Sequence, residues 1–410
     1  MSISRIGTAN MYESTINNLN SRNTSLVDLM EKTTSGKRVV RASDDPVAAA
    51  QAERALTRIS RSENDQRVLG LQRDVIAQGE SKLGTAQDAL KDFRDKILAA
   101  GNGSYDQKAR DALVQELQSL RDQVLSYANA KDSNGMPLFR GLGSKEDPLT
   151  SATPGASSQL QAGQSTGGEN GLPIALDGFS TWMNVPTGNG VFSVSRQSVA
   201  GSSAYASLGT VTDPSQLTSD TYTIAFVKDP VTNAVTYSID AFNPLPAPGG
   251  TTTNKVPAGT AFPADGKLTV DGMSVGISGN PATGDTFKLA PSQRTDLFSV
   301  LDGVISAVKN GGTDPGGLQQ GLARGLNELD AGMSRVQAMR SFAGDQLNRA
   351  DRLEDDMKNQ ADQQEAARSR AEDIDMIKAL SDVDMQKVGM QAALQSYASI
   401  QKLSLFNFIN

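Results

Sequence analysis

The chain has 410 residues, a formal net charge of −7, and neither cysteine nor histidine. That composition excludes disulfide bonds, thiol and imidazole nucleophiles and histidine-ligated zinc, and an acidic chain is poorly suited to nucleic acid, which needs a basic surface. No run reaches the roughly 18 apolar residues of a membrane span. The start Met1-Ser-Ile-Ser-Arg lacks the apolar centre of a cleaved secretory signal, so the chain is expected to stay in the cytoplasm or leave by a route that reads something else.

From Ala9, apolar or small residues recur at Ala9, Tyr12, Ile16, Leu19, Asn23, Leu26, Met30 and Thr33, with spacings of three and four. Such a narrow stripe on a helix calls for a partner helix. Ser35-Gly36 closes this first helix, since glycine is the usual residue just past a helix C-terminus. The basic residues Lys37, Arg38 and Arg41 lack interleaved aromatics and read as solvated or paired with acidic neighbours. Asp45 reads as an N-cap and Pro46 as the first residue of a long second helix; the alternative, a catalytic pair Asp44 and Asp45, lacks a second acid or base.

The second helix runs from about Pro46 to about Ala99, with a stripe at Leu83, Ala86, Leu90, Phe93 and Ile97. Gly101-Asn102-Gly103 ends it, and Ser104 with Gln107 predicts a capping box. A third helix carries Leu113, Leu117, Leu120, Val124 and Tyr127 to a turn at Asp132–Gly135. The middle, about 144–288, is rich in Gly, Ser, Thr and Pro and poor in charge. Tyr222–Lys228 and Val235–Asp240 alternate with period two around Asp229-Pro-Val-Thr-Asn, a hairpin signal. Val191–Ser195, Lys267–Val270 and Thr286–Leu289 read as further short strands, and Trp182 as core.

After this middle, Leu297, Leu301, Val304 and Val308 start another helix, interrupted from Asn310 to Gly317. A last long helix carries Leu322, Leu326, Leu329, Met333 and Val336 and then becomes highly charged. The C-terminal series Met376, Leu380, Val383, Lys387, Met390, Leu394 and Tyr397 repeats the rhythm of the N-terminus. The two terminal stripes predict a coiled-coil stem formed by both chain ends; the plainer alternative is that each end docks separately on a globular core.

The fold class read from the pattern is α+β multidomain. A terminal coiled coil (1–44 with 372–410) and a long-helix bundle (45–143 with 289–371) are formed by both ends, with an inserted β-rich domain at 144–288. The assembly interface expected of the stem comprises Ile16, Leu19, Leu26, Met30, Leu380, Val383, Met390 and Leu394. Isolated helices need partners, so 1–44 and 372–410 are expected to be disordered in the monomer and to order on assembly. No phosphate-binding loop, dinucleotide fingerprint, nucleophile elbow or EF-hand series occurs, so no enzyme activity and no cofactor are expected.

The stretch Leu29-Met-Glu-Lys-Thr-Thr-Ser-Gly-Lys-Arg-Val-Val-Arg-Ala-Ser-Asp-Asp-Pro resembles the signature of the flagellin superfamily, and the end Leu403-Ser-Leu-Phe-Asn-Phe-Ile resembles its closing motif. Pro46 stands where flagellins usually have alanine, and Ile3-Ser-Arg-Ile replaces the usual flagellin start. Asn129-Ala-Lys-Asp-Ser-Asn-Gly-Met-Pro-Leu-Phe-Arg-Gly and the stretch from Val270 to Phe287 are similar to the hook–filament junction branch. This resemblance implies a structural protein of the bacterial flagellum, secreted through the flagellar type III export apparatus with an export chaperone. It also implies packing with copies of itself in a ring or helical layer between hook-associated protein 1 and flagellin, with no nucleic acid and no membrane as partners. Export information is then expected in about the first 20 to 40 residues. A flagellin-type filament subunit is the alternative, and an enzyme hosted in the middle domain is a more distant one.

Overall fold

In a computed structural model the described residues are 8–101, 105–139, 172–173, 175–199, 201–245 and 249–406. The start of the middle domain and the end of the closing motif lie outside these residues. The α-helices are α1 (Thr8–Ser35), α2 (Pro46–Ala100), α3 (Gln107–Ala128), α4 (Leu297–Asn310), α5 (Pro315–Glu372) and α6 (Met376–Phe406). The chain divides into two compact units, residues 1–68 with 352–410 and residues 69–351. This division falls inside α2 and α5, whereas the sequence reading divides the chain at their ends.

Helix boundaries follow their caps. Asp45 Oδ1 accepts the Ala48 N–H at 3.0 Å, so Pro46 opens α2 as read from the sequence. The α3 cap differs from the expectation: Asp106 accepts the Ala109 N–H at 2.7 Å, and Ser104 lies outside the described residues. A carboxylate nearer the first turn also suits the positive end of the helix dipole. The interruption after α4 is shorter than expected, because Asp314 accepts the Gly317 N–H at 2.9 Å and starts α5 at Pro315.

In the unit 69–351, the α2 stripe Leu83, Ala86, Leu90, Phe93 and Ile97 is fully buried. Leu322, Leu329 and Val336 of α5 are buried with it, while Leu326 and Met333 are half-buried. Arg94–Asp330 at 2.8 Å and Arg340–Glu80 at 2.7 Å tie α5 to α2, and Arg121–Asp302 at 3.0 Å ties α3 to α4. Gly321 and Gly325 allow α4 and α5 to touch: a Cβ on the first would strike Ala307, and one on the second Val304.

The strands are β1 (Val185–Pro186), β2 (Phe192–Gln197), β3 (Tyr205–Ala206), β4 (Thr210–Val211), β5 (Thr221–Lys228), β6 (Val235–Asn243), β7 (Thr251–Ala261), β8 (Lys267–Val270), β9 (Met273–Ser278), β10 (Thr286–Pro291) and β11 (Arg294–Thr295). A five-stranded antiparallel sheet has the order β2-β10-β5-β6-β7, and β9 pairs with β3, β4 and β8 in a second sheet. Side chains of both sheets share one core, which includes Tyr222, Phe226, Ile239, Phe287, Val275 and Ile277. The predicted hairpin is present: β5 and β6 pair from Lys228↔Val235, and Asp229 Oδ1 accepts the Val231 and Thr232 N–H groups. Trp182 is buried edge-on against Phe139 at 5.6 Å.

Candidate assembly surface and its joint

α1 and α6 pack against each other as a pair. On α6 the residues withdrawn from water include Ala379 and Val383, which are buried, and Gln386, Met390, Ala393 and Tyr397, which are half-buried. On α1 they include Ile16, Leu19, Leu26, Leu29 and Thr33, all half-buried. Of the eight residues named from the sequence, Ile16, Leu19, Leu26, Val383 and Met390 thus lie in the seam. Met30, Leu380 and Leu394 lie off it and are exposed. The polar residues expected in the seam, Asn23 and Lys387, are exposed as well.

The α6 seam is shifted by one residue at three layers, to Ala379, Gln386 and Ala393. Small side chains let the α1 backbone come close, and Gly389 does the same under Arg22, whose Nη1 would lie 2.8 Å from an added Cβ. Six large apolar residues of α6 point elsewhere. Ile377 is 87% exposed, Val388 65%, Leu380 57% and Leu394 50%, and Met376 and Met385 are exposed with them. These residues occupy more than one face of the helix. Lys378, Asp384 and Lys387 are exposed among them, but six large exposed apolar side chains on one helix call for cover, and α1 covers only one side of this one.

The inner ends of the pair meet at a compact joint. Gly36 takes φ +72°, the left-handed conformation that glycine adopts without strain. The two linkers then pair: the Arg38 and Val39 N–H groups donate to the Glu372 carbonyl at 2.6 and 3.3 Å, and the Ile374 N–H donates to the Gly36 carbonyl at 3.0 Å. Lys37 and Asp373 form an antiparallel bridge, and the Lys37 amine pairs with the Glu372 carboxylate. The Arg38 guanidinium donates to the Ala371 carbonyl at 2.8 Å and to Asp45 at 3.2 Å. Arg41 pairs with Glu31 at 2.9 Å. The basic cluster is therefore paired with acids, one of the two readings the sequence left open.

Asp44 and Asp45 act as local acceptors. The Ala48 N–H, followed by Arg38, holds the Asp45 carboxyl below its usual range, and the Arg41 N–H does the same for Asp44. The Asp45 bond is the capping role read from the sequence, while Asp44 accepts from Val40 and Arg41 in the turn before the helix. Val39, Ala48, Ala52 and Ala371 form a small apolar cluster at the same joint.

A second polar feature lies in the unit 69–351. A cavity of about 390 Å³ between the β2–β10 edge and helices α4 and α5 is lined by Thr187, Ser193, Lys288, Arg324 and Glu328 among others. Glu328 is buried; it accepts the Gly188 N–H at 2.8 Å and lies 3.9 Å from Arg324. Burial pushes its carboxyl up, only partly offset by Gly188 and Arg324. A raised folded-state pKa gives stability that is full below the ordinary carboxylate range and is lost as pH rises through the raised value. Glu328→Gln keeps an acceptor for Gly188 and removes the buried charge. Its melting temperature should match or exceed wild type at pH 7, and the difference should vanish on acidification to about pH 4. A marked drop at pH 7 would show that the charge itself is required.

Among the described residues no group of acidic side chains is placed to hold a metal ion, and no helix is long and apolar enough to cross a membrane.

The bacterial flagellin N-terminal helical region matches residues 6–144, and the bacterial flagellin C-terminal helical region matches residues 326–409. Flagellar hook-associated protein 3 of Salmonella typhimurium strain LT2 is 31% identical over 190 residues, 46% of this chain and 56% of that protein. The chain thus spans little more than half of that relative. It aligns with 98% of flagellar hook-associated protein 3 of Escherichia coli strain K12, at 22% identity over 98% of its own length. In fold it is similar to the crystal structure of flagellar hook-associated protein 3 from Legionella pneumophila, with a TM-score of 0.63 at 24% identity, covering 78% of this chain and 98% of that one. Both terminal regions of the flagellin family are present, together over more than half of the chain, and the chain belongs to that family.

Proposed function

We propose that this chain is a structural adaptor of the bacterial flagellum that joins the hook, through hook-associated protein 1, to the flagellin filament. The carrying observation is α6, which is apolar on more faces than α1 covers. Such a helix is stable in water only when other helices pack around it. Copies of the same chain, stacked with related subunits, would supply those helices and repeat the contact around a layer. The relatives named hook-associated protein 3 are structural flagellar proteins, and the chain is a flagellar component and not an enzyme. Secretion through the type III apparatus, with an export chaperone, belongs to the same reading. Immunogold labelling of intact flagella tests it. Label confined to one band at the distal end of the hook supports the adaptor. Label along the whole filament overturns it in favour of a flagellin, the reading to which the 31% identity with Bacillus subtilis flagellin over 133 residues also points.

If the outer faces of α1 and α6 wait for neighbours, the pair should be only marginally ordered before assembly. Limited proteolysis of the monomer should trim both ends and leave a stable middle of about 45–370. Full-length chain surviving under those conditions, in a sample confirmed as monomeric, would refute this.

A further inference from the structure

We infer that the joint is the nucleus from which the terminal helix pair zips outward toward the chain ends. Burial is graded along α6, while the α1 seam is half-buried from Ile16 to Thr33. Val39, Ala371, Ala379 and Val383 are all at most 7% exposed and lie at or near the joint. Farther out, Met390, Ala393 and Tyr397 on α6 and Ile16 and Leu19 on α1 are only half-buried. The same end of the pair holds the directional bonds: three backbone hydrogen bonds between the linkers, the Lys37–Glu372 ion pair and both contacts of Arg38.

Helix formation is limited by its first turn, and propagation adds one bond per residue fixed. At the joint that first step has help. α2 begins at Pro46 and α5 ends at Glu372, so each terminal helix is anchored at its inner end by a few residues of linker. Pairing Lys37 with Asp373 then sets the register of α1 against α6 before their distal seams meet. Arg38 serves two helix ends at once. It donates to the Ala371 carbonyl, one of the orphan acceptors at the end of α5, and it pairs with Asp45, the N-cap of α2. Arg38 uses a different nitrogen for each contact, whereas lysine would have to reach both acceptors from one ammonium and lacks the planar fork.

This inference rests on the terminal pair being the assembly element, but its first readout needs no flagellum. The chain has no cysteine, so the double variant Lys37→Cys with Asp373→Cys can form one intramolecular disulfide when the full chain is oxidised at high dilution with oxidised glutathione. The oxidised monomer should show more helix by circular dichroism at 222 nm than the same variant after reduction. Its amide protection should appear first at 28–35 and 376–383, and later at 12–19 and 390–397. The oxidised form should also add to purified hooks that carry hook-associated protein 1 at a several-fold lower subunit concentration than the reduced form.

Arg38→Ala and Arg38→Lys should both raise that concentration relative to wild type. Equal helix content in the oxidised and reduced forms would overturn the inference, as would protection that starts at the distal ends. A gain of helix in the oxidised monomer without any addition to hooks would support the nucleus and count against the adaptor reading.

Discussion

Cells carrying Leu26→Asp or Leu394→Asp should build hooks, fail to retain filaments and release flagellin into the medium, although the subunit's main melting transition stays in place. The two positions probe different contacts. Leu26 is half-buried in the α1–α6 pair, whereas Leu394 is 50% exposed on α6. Removing a fully buried leucine forfeits roughly 2–3 kcal/mol of apolar burial, and a carboxylate adds the cost of its own desolvation. For Leu394 that full cost arises only once a neighbour covers it. Neither residue belongs to the unit 69–351, which has its own apolar core. Normal swimming with intact filaments in both variants would show that the terminal helices are not the joining element. A large fall in the main melting transition would show that they are part of the globular core instead.

Phe226→Ala should have the largest effect on stability. Phe226 is buried at the centre of the β-domain core, 5.4 Å from the Phe262 ring and 5.9 Å from Phe287, edge-on in both cases. It lies on β5, which is paired on both sides by β10 and β6, so the sheet has little freedom to collapse into the space left. A buried phenylalanine truncated to alanine loses about 3–5 kcal/mol. For a domain of this size that is a fall in melting temperature on the order of 10 °C or more. Phe226→Leu should lose much less, because most of the volume is kept. Attachment to hooks below the lowered transition should persist, since the terminal helices are untouched. An unchanged transition would show that this cluster does not hold the domain together.

What the sequence revealed depended on how local its signal was. The α2 stripe from Leu83 to Ile97 repeats a large apolar residue at helical spacing, and all five of its residues are buried. Asp45 followed by Pro46 carries its capping chemistry within four residues. The α6 seam was harder to read. Pattern reading favours the largest apolar side chain in each turn, Leu380 or Leu394, while close packing uses Ala379 and Ala393. β7 gave little signal because as an edge strand it exposes nearly all its side chains and so lacks alternation. The pairing of the two linkers across the joint could not be read: Arg38 and Ala371 are 333 residues apart, and no local pattern joins them.

β7 itself has a consequence for chains crowded together at high local concentration. Among the described residues it pairs only with β6, so one side of an eleven-residue strand offers open backbone groups. A long, flat, apolar edge of that kind recruits strands from other molecules and seeds aggregates. This one is neither flat nor greasy. Its pairing with β6 shifts register twice near Ile239, Pro257 removes one backbone donor, and Thr251-Thr-Thr-Asn fills its first positions with short polar side chains. The edge can therefore stay uncovered without making the subunit sticky.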